Sequence, residues 1–445
     1  MWRKASRIRK NNEGVDSMLW GPGLVFLKCM SHAFDRMFLE LTLDEKKRLA
    51  DKLLFIPKES HWEYVMERAS HLGMGSVLDE AMEDIERFNP TVQKILPREY
   101  TSPDIRKDQL ALFIKMLGDI PKEYFRTGEI LQSVFGYFVR NYLSAGDKRQ
   151  ESICTPECID KLAVAMVEPL KGKIFDPCCG VGSMLVESHA FILRKLHLAN
   201  TSLKNLVKET DPMGLTDPAD HIVYYGQESK LTNFRLCRMN LAIHGIDGTQ
   251  VGWNNESSLD KDLHPGLNAD HILCVPPLNS RYSEWMRYIV SHLATGGAAG
   301  VILSKDSLSD SSSVLEAAEN RDDRLENPAG GARVNCIVTL PDHLFQSTGM
   351  SVCLWLLGRG KGQIAGAGKQ DGDILLIDAS SNIPGVPRKS RHEELSSAEI
   401  DEIAGTFRRW QAQNGDYKDV KGFCKSLDRK TIKRSRFNLA PERYV

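Results

Sequence analysis

The segment Asp176-Pro177-Cys178-Cys179-Gly180-Val181-Gly182-Ser183-Met184 combines an acidic residue, two nearby glycines and the start of a helical pattern. It follows the apolar run Lys173–Phe175, which is the place of the turn between the first strand and first helix of a doubly wound sheet. Gly180 and Gly182 let the backbone approach a ligand and adopt positive φ angles. A helix that begins near Ser183 offers unpaired N–H groups to an anion. The segment therefore predicts a ligand-binding turn.

A second candidate is the carboxylate of Glu228, which follows the apolar run Ile222–Tyr225. A carboxylate at that strand end can accept hydrogen bonds from both ribose hydroxyls of a nucleoside. An exposed Glu that caps a helix is the alternative, but the presence of the turn after Asp176 favours the nucleoside role. A dinucleotide fingerprint needs three glycines spaced G-x-G-x-x-G, and Leu185 stands in the third place, which disfavours an oxidoreductase.

Length and composition indicate a globular protein of more than one domain. A chain of 445 residues, 42% hydrophobic and 26% charged, suits two domains plus an appendage and excludes wholesale disorder. Its 58 Lys and Arg residues balance 59 Asp and Glu residues, which gives a net charge of −1. The net charge gives no global electrostatic case for nucleic acid, so if the chain binds DNA, it must do so through a local basic patch or a partner protein.

The cysteines indicate a reducing compartment. Ten are scattered along the chain without a secretory leader, which predicts reduced thiols in a cytoplasmic protein. Cys154-x-x-x-Cys158 and the adjacent Cys178-Cys179 are candidate metal ligands. No second Cys or His pair stands at zinc-site spacing beside them, so no metal site is predicted. An apolar run of transmembrane length is also absent from the sequence, so no membrane association is expected.

Hydrophobic periodicity divides the chain into three parts. Residues 1–150 form a predicted N-terminal helical domain, with apolar positions three to four apart over Leu24–Leu41, Val77–Phe88 and Ile130–Leu143, and a stop at Pro90. Residues 151–380 alternate short apolar runs with helical patterns, which predicts βα units on a parallel sheet. Residues 381–445 are predicted to form a helical tail.

The central part is predicted to be α/β, with a Rossmann-like, doubly wound, mostly parallel sheet. Six apolar runs have the length of buried strands: Lys173–Phe175, Ile222–Tyr225, His271–Val275, Ala299–Leu303, Val334–Val338 and Val352–Leu356. Polar stretches at residues 200–220, 304–333 and 358–372 are predicted to be surface loops. In the tail, Lys425, Arg429 and Lys433 are spaced four apart, which predicts one basic helical face. That face either contacts phosphates or a partner, or is simply solvated.

These motifs, in this order, resemble the modification (M) subunit of type I restriction–modification systems, an adenine-N6 DNA methyltransferase. The resemblance extends over nearly the whole chain, and shared order is more specific than any single motif. The segments that carry it are Gly23–Lys28, Glu129–Phe138, Cys154–Pro156, Asp176–Met184, Gly226–Glu228, Leu293–Gly297, Leu340–Pro341, Val352–Trp355 and Leu439–Tyr444.

The resemblance implies a class I methyltransferase fold with S-adenosylmethionine as the cofactor. Cys154, Thr155 and Pro156 would cover that cofactor, although Cys154 stands where the family has an aromatic residue. The residues expected to cradle it are Asp176, Cys178, Gly180, Val181, Gly182 and Ser183, the last in place of a Gly. Glu228 would bind the ribose and Glu256 the adenine of the cofactor. The implied partners are DNA, a specificity subunit, a second M subunit and a restriction subunit.

The catalytic motif departs from the family pattern. Val275, Pro276, Pro277 and Leu278 stand where the resembled family has Asn-Pro-Pro-aromatic. Adenine N6 is a poor nucleophile, so the Asn oxygen and the first Pro carbonyl accept its hydrogens, while the aromatic ring stacks on the flipped base. Val275 lacks that acceptor, which by analogy costs roughly 10²–10³ in rate. Leu278 lacks the stacking face, which costs about 1–3 kcal/mol more.

Two hypotheses of different classes follow. The chain is either an adenine-N6 DNA methyltransferase subunit with slow chemistry, or a non-catalytic subunit that binds the cofactor and a specificity partner. Methylation of RNA or protein is a weaker third alternative, since the N-terminal helical part and the tail favour a DNA complex. In the resembled family a separate specificity subunit reads the bases, so this sequence does not reveal the target site.

Overall fold

The computed structural model describes residues 19–40, 54–68, 73–121, 135–136, 139, 155–198, 222–278, 281–309, 311–319, 332–345, 349–360, 373–380, 383–386, 394–412 and 416–445. Cys154, most of the predicted helix at residues 130–143 and the predicted loop at residues 200–220 lie outside these ranges. The chain divides into two compact units. The first comprises Met1–Cys154, Gly180–Val186 and Glu228–Asn255, and the second comprises Thr155–Cys179, Glu187–Gln227 and Glu256–Val445. The three domains predicted above stay a prediction.

The secondary structure changes from helices to alternating strands and helices along the chain. In chain order the elements are α1 (Trp20–Glu40), α2 (Trp62–Glu67), α3 (Met74–Phe88), α4 (Lys107–Gly118), α5 (Glu157–Val167), β1 (Gly172–Asp176), α6 (Ser183–Leu198), β2 (Ile222–Glu228), α7 (Leu231–Ile243), β3 (Val251–Trp253), β4 (Ala269–Cys274), α8 (Tyr282–His292), β5 (Leu293–Ser304), α9 (Ser311–Glu319), β6 (Ala332–Thr339), β7 (Val352–Arg359), β8 (Ile374–Asp378), α10 (Ser397–Gln411), β9 (Cys424–Leu427) and α11 (Arg429–Arg434). Short 3₁₀ helices occur at Lys58–Ser60, Pro90–Val92, Lys305–Leu308 and Pro441–Arg443. None of the described helices is both long and apolar enough to cross a bilayer.

The first unit is helical and has its own apolar core. Helices α1, α3, α4 and α7 contribute to that core the buried side chains of Leu24, Phe26, Leu78, Met82, Ile85, Phe113, Ile114, Leu236 and Met239. Two arginines of α7 add polar contacts to a neighbouring segment. Arg235 donates from Nε to the carbonyl oxygen of Ile95 (2.9 Å), and Arg238 donates from Nη2 to that of Thr91 (2.6 Å). The helix α7 is therefore fixed within this unit by both apolar and polar contacts.

Helix α3 illustrates how the sequence sets a helix boundary. Its buried face carries Leu78, Met82 and Ile85, at the three-to-four spacing that the sequence predicts. The helix ends at Phe88, and Asn89 is extended, with φ −129° and ψ 91°. A proline at position 90 disfavours helical geometry in the residue before it, which accounts for the end of the helix there. The predicted helix and its stop are confirmed.

The second unit is built on a mixed β-sheet in which the strand order is β2-β1-β4-β5-β7-β6-β8-β9. Strand β1 pairs in parallel with β2 and β4, and β4 pairs in parallel with β5. Strand β7 is antiparallel to both β5 and β6, while β6 and β8 are parallel. Every residue of β7 is buried, as expected of a strand that is covered on both faces. The sheet thus carries the apolar core of this unit.

All six predicted strands are present, as β1, β2, β4, β5, β6 and β7. Strands β3, β8 and β9 were not predicted. Strand β9 lies at the end of the sheet, antiparallel to β8, and its two middle residues are only partly buried. Its short, half-polar sequence lacks the continuous apolar run that identifies the central strands, because an end strand is covered less completely. The stretch at residues 304–333 is also not wholly loop, since it contains a 3₁₀ helix and α9.

The predicted basic helical face in the tail is wrong. Lys425 lies in strand β9, whereas Arg429 and Lys433 lie in the short helix α11. Asp428 caps α11 by accepting a hydrogen bond from the N–H of Thr431 (2.6 Å), which starts the helix after Lys425. The guanidinium of Arg429 forms an ion pair with Glu319 of α9. Arg429 therefore holds the tail against its own unit, and the three residues do not form one basic strip.

The buried imidazole of His271 in β4 makes stability depend on pH. Burial lowers the pKa of His271 from 6.5 to about 4. Between these pH values the unfolded chain binds a proton at His271 that the folded chain does not, so stability falls as the pH drops. We expect a loss of up to roughly 3 kcal/mol from this group, at about 1.4 kcal/mol for each pH unit. Denaturant unfolding at pH 6.5 and pH 4.5 measures how much the free energy of unfolding falls between the two pH values. This decrease should be smaller for His271→Leu than for wild type, and equal decreases would contradict this assignment.

Candidate functional site

Three strand ends meet at one edge of the sheet. Strand β1 lies between β2 and β4, with Asp176 paired to Gly226 and Phe175 paired to Ile272 in parallel registers. Carboxyl ends of adjacent parallel strands are where ligands bind in such sheets. The turn after Asp176 follows β1, the diproline after Cys274 follows β4, and Glu228 is the last residue of β2. The strand order therefore places these three strand ends at the same edge of the sheet.

The first half of the turn, Asp176–Cys179, is anchored within the second unit. Asp176 is buried, and its Oδ1 accepts a hydrogen bond from the N–H of Cys178 (3.0 Å). The N–H of Cys179 donates to the carbonyl oxygen of Gln227 (3.1 Å). The hydroxyl of Ser258 donates to the carbonyl oxygen of Pro177 (2.6 Å). These contacts fix the backbone of the turn at the ends of β1 and β2.

The second half of the turn, Gly180–Ser183, belongs to the first unit. Gly180 and Gly182 have φ angles of 54° and 78°, which confirms the predicted positive φ. A side chain at position 182 would come within 2.8 Å of the Sγ of Cys237, so only glycine fits without displacement. The side-chain amide of Asn240 donates to the carbonyl oxygen of Val181 (2.9 Å). Helix α6 begins at Ser183, and its first N–H groups are the predicted anion donors.

Glu228 is the last residue of β2 and is only 9% exposed, unlike the exposed capping residue that was the alternative. Its Oε1 accepts hydrogen bonds from the N–H of Lys230 (2.8 Å) and the hydroxyl of Ser229 (3.4 Å). Among the described residues, no donor contacts Oε2. A buried carboxylate is costly unless both oxygens accept hydrogen bonds, so Oε2 can take donors from a ligand.

Gln227 and His264 hold the segment after β3 against the end of β2, a role that sequence analysis missed. The side-chain amide of Gln227 donates to the carbonyl oxygen of Lys261 (2.7 Å), and its oxygen accepts from the N–H of Leu263 (3.0 Å). The Nε2 of His264 donates to the carbonyl oxygen of Gly226 (2.9 Å). Gln227 is fully buried in the observed strand β2, two residues beyond the predicted apolar run, so the prediction gave no signal of this role.

For four other predicted cofactor contacts, the structure gives little information on their roles. Glu256 is exposed, and its carboxylate lies 4.0 Å from the ammonium of Lys261. Thr155 and Pro156 are half-buried, and Pro156 is the N-cap of α5 with φ −59° and ψ 136°. Cys154 lies outside the described residues. The cofactor roles of these four residues stay predictions.

The diproline segment follows β4, and its residues differ in burial. Val275 is half-buried, Pro276 buried and Pro277 exposed, while the side chain of Leu278 is 3% exposed. The hydroxyl of Tyr282 donates to the carbonyl oxygen of Leu278 (2.9 Å), which ties this segment to the start of α8. Burial raises the pKa of Tyr282, so its hydroxyl stays a donor at neutral pH. Leu278 is part of the packed interior and has no ring to offer a base.

Ion pairs fix the residue that precedes α8. Arg281, just before the helix, has a positive φ of 61° and contacts Glu284 (2.8 Å) and Asp260 (3.2 Å). Both carboxylates raise the pKa of Arg281, the hydrogen bond to Glu284 being the larger cause. Deeper in the same unit, Asp262 accepts hydrogen bonds from the hydroxyl of Tyr288 (3.0 Å) and the Nε2 of His292 (3.0 Å). The segment containing residues 260–262 is thus fastened to α8.

Comparisons with known proteins agree on one family. The family model described as N-6 DNA Methylase matches residues 126–284 and 275–445. The type I restriction enzyme HindI methylase subunit of Haemophilus influenzae is 27% identical over 409 residues, which cover 84% of this chain and 83% of that protein. The type I restriction enzyme MjaIX methylase subunit of Methanocaldococcus jannaschii is 24% identical, over 100% of this chain and 83% of that protein.

A solved structure has the same fold. It is the methyltransferase subunit of a type I restriction-modification system from Streptococcus thermophilus, with a TM-score of 0.70 at 17% identity, and the match covers 100% of this chain and 98% of that one. At that identity the likeness concerns the fold alone. It confirms the predicted Rossmann-like α/β architecture with an N-terminal helical part.

The two adjacent thiols of the turn should differ in reactivity. Cys178 is half-buried, whereas Cys179 is 4% exposed and Cys274 is fully buried, with a pKa raised by that burial. Alkylation requires an accessible thiolate, so iodoacetamide should modify Cys178 at least about 10-fold faster than the other two in the native chain. Tandem mass spectrometry of timed samples separates the neighbouring positions, and Cys179 serves as the matched control. Faster modification of Cys179 would contradict this geometry of the turn.

Proposed function

Because the chain belongs to the N-6 DNA methylase family, we propose that it is the modification subunit of a type I restriction–modification system. In this proposal it transfers a methyl group from S-adenosylmethionine to adenine N6 in DNA. The observation that carries it is the common sheet edge at which β1, β2 and β4 end, in the order that the sequence motifs require. The names of the relatives from Haemophilus influenzae and Methanocaldococcus jannaschii support the assignment.

Chemistry at the turn supports a nucleoside cofactor with an anionic group. The backbone after Asp176 is held by hydrogen bonds, and Gly180 and Gly182 adopt the positive φ angles that shape the turn. We assign the first N–H groups of α6 to the carboxylate of the cofactor, since helix N-termini favour anions. We assign Oε2 of Glu228 to the ribose hydroxyls. When bound, S-adenosylmethionine supplies an electrophilic methyl group.

The target half of the site retains only part of the expected set of acceptors. The carbonyl of Pro276 can accept one hydrogen of adenine N6, while Val275 has no side-chain acceptor for the other. Leu278 is buried and offers no stacking face to a flipped base. We therefore propose slow chemistry, reduced by roughly 10²–10³ relative to a site with an Asn at this position.

A second candidate function is a subunit that binds the cofactor and a specificity partner without transferring methyl groups. The substitution of Val at position 275 favours it, because the turn after Asp176 and Glu228, which we assign to the cofactor, are present while the target half lacks an acceptor. In both proposals the partners are DNA, a specificity subunit, a second modification subunit and a restriction subunit. The balanced charge of −1 supports a role in which partner proteins contribute to DNA binding.

Replacing Glu228 tests the cofactor site. Glu228→Gln keeps the shape of the side chain but removes the charge that accepts the ribose hydroxyls. Hydrogen bonds to a charged group contribute about 1.5–3 kcal/mol, so the dissociation constant for S-adenosylmethionine should rise roughly 10- to 100-fold in calorimetry. Glu402→Gln on α10, which replaces a Glu that pairs with Arg409, is the matched control and should bind like wild type. An unchanged dissociation constant for Glu228→Gln would remove this residue from the site.

Replacing Val275 distinguishes the two candidate functions. Val275→Asn introduces the missing acceptor, so tritiated methyl incorporation into DNA by the assembled complex should rise roughly 10²–10³-fold. Val275→Ala has no acceptor either and should leave incorporation at the wild-type level. If Val275→Asn incorporates methyl groups at the wild-type level while its cofactor affinity is preserved, this account of the pocket is contradicted. Wild-type incorporation at background would favour the non-catalytic subunit.

A further inference from the structure

Three side chains that can ligate a metal lie together in the first unit, where the proposed function assigns no role, and a fourth, that of His61, contacts one of them. His32 and Asp35 are three residues apart on α1, a spacing that places both on one face of the helix. His61 is the N-cap of α2, and Glu63 lies in its first turn. His32, Asp35 and Glu63 each offer one ligand atom, and these three atoms lie within 4.8 Å of one another. The Nδ1 of His61 lies 3.1 Å from Oδ1 of Asp35.

The separations suit a small divalent cation. Zinc bonds to imidazole nitrogen and carboxylate oxygen at about 2.0–2.2 Å, so ligand atoms around a tetrahedral ion are roughly 3.4 Å apart. The Nδ1 of His32 and the Oε1 of Glu63 lie 4.0 Å apart, slightly more than that value. The Glu63 side chain is 39% exposed, so it can close the remaining gap by a rotamer change.

The ligands are positioned by contacts outside the cluster. The Nε2 of His61 donates to the carbonyl oxygen of Ile56 (3.1 Å), because a carbonyl can only accept. This contact orients the ring so that Nδ1 faces the carboxylate of Asp35. The N–H of Trp62 donates to the hydroxyl of Ser31 (2.9 Å), which fixes the start of α2 against α1.

We propose that His32, Asp35 and Glu63 form a zinc site that joins α1 to α2, with His61 as a partner of Asp35. One imidazole and two carboxylates are a ligand set that zinc accepts, and a water molecule would complete the four-coordinate geometry. The site ties together two helices that are separated along the chain by residues 41–61. Its role is to stabilise the helical unit, independently of methyl transfer.

Zinc titration of the full chain tests the site. After chelator treatment and dialysis, calorimetry should show one zinc ion bound per chain, with affinity reduced at least about 10-fold in both His32→Gln and Glu63→Gln. His343→Asn is the matched control, because His343 is exposed, has a φ of 66° that Asn also adopts, and lies in the second unit. Zinc should also raise the melting temperature of wild type and leave that of Glu63→Gln unchanged.

Cobalt identifies the ligands directly. The full chain loaded with Co²⁺ should show the visible absorption of a tetrahedral site with nitrogen and oxygen ligands. A strong thiolate charge-transfer band would instead assign the ion to cysteines and overturn the proposal. Equal zinc affinity in wild type and both variants, or no binding to wild type, would also overturn it. Circular dichroism of Glu63→Gln, a substitution at a partly exposed position, distinguishes loss of metal from loss of fold.

Discussion

Parallel pairing on both sides of β1 is the constraint on which the candidate site depends. Because β2 and β4 run in the same direction as β1, their carboxyl ends meet at one edge, and the chain must leave each strand at that edge. The turn after Asp176, Glu228 and the diproline all arise there from segments far apart in sequence. A shift of one residue in any of these ladders would turn each side chain to the opposite face. The burial of β1 and β4 strongly disfavours such a shift.

The two halves of the proposed site depend on different kinds of group. In the proposed cofactor half, backbone N–H groups and glycine conformation contribute beside the carboxylate of Glu228, so Ser183 in place of the family's Gly removes no donor. In the proposed target half, the family's acceptor is a side-chain amide, and the backbone at position 275 does not replace it. Valine there is apolar and lacks the acceptor. We therefore propose that the fold is retained while the rate of methyl transfer falls.

Much of the fold was predictable from continuous apolar runs and from helix stops. Pro90 ended α3 as predicted, and the six buried strands were identified because central strands are apolar throughout. Strand β9 was not, since an end strand such as Cys424–Leu427 carries polar residues, and Asp428 then starts a new helix. Glycine spacing predicted the φ angles of the turn. The contacts of Gln227 and the cluster around His32 join residues from different elements, which no local pattern reveals.

The central claim is that the sheet edge binds S-adenosylmethionine through the turn and through Glu228. A crystal structure of the chain with this cofactor tests it most directly. The account predicts both ribose hydroxyls within about 3.2 Å of the Glu228 carboxylate and the methionine carboxylate at the first N–H groups of α6. A cofactor bound elsewhere, or bound at this edge without contact to Glu228, would contradict the account.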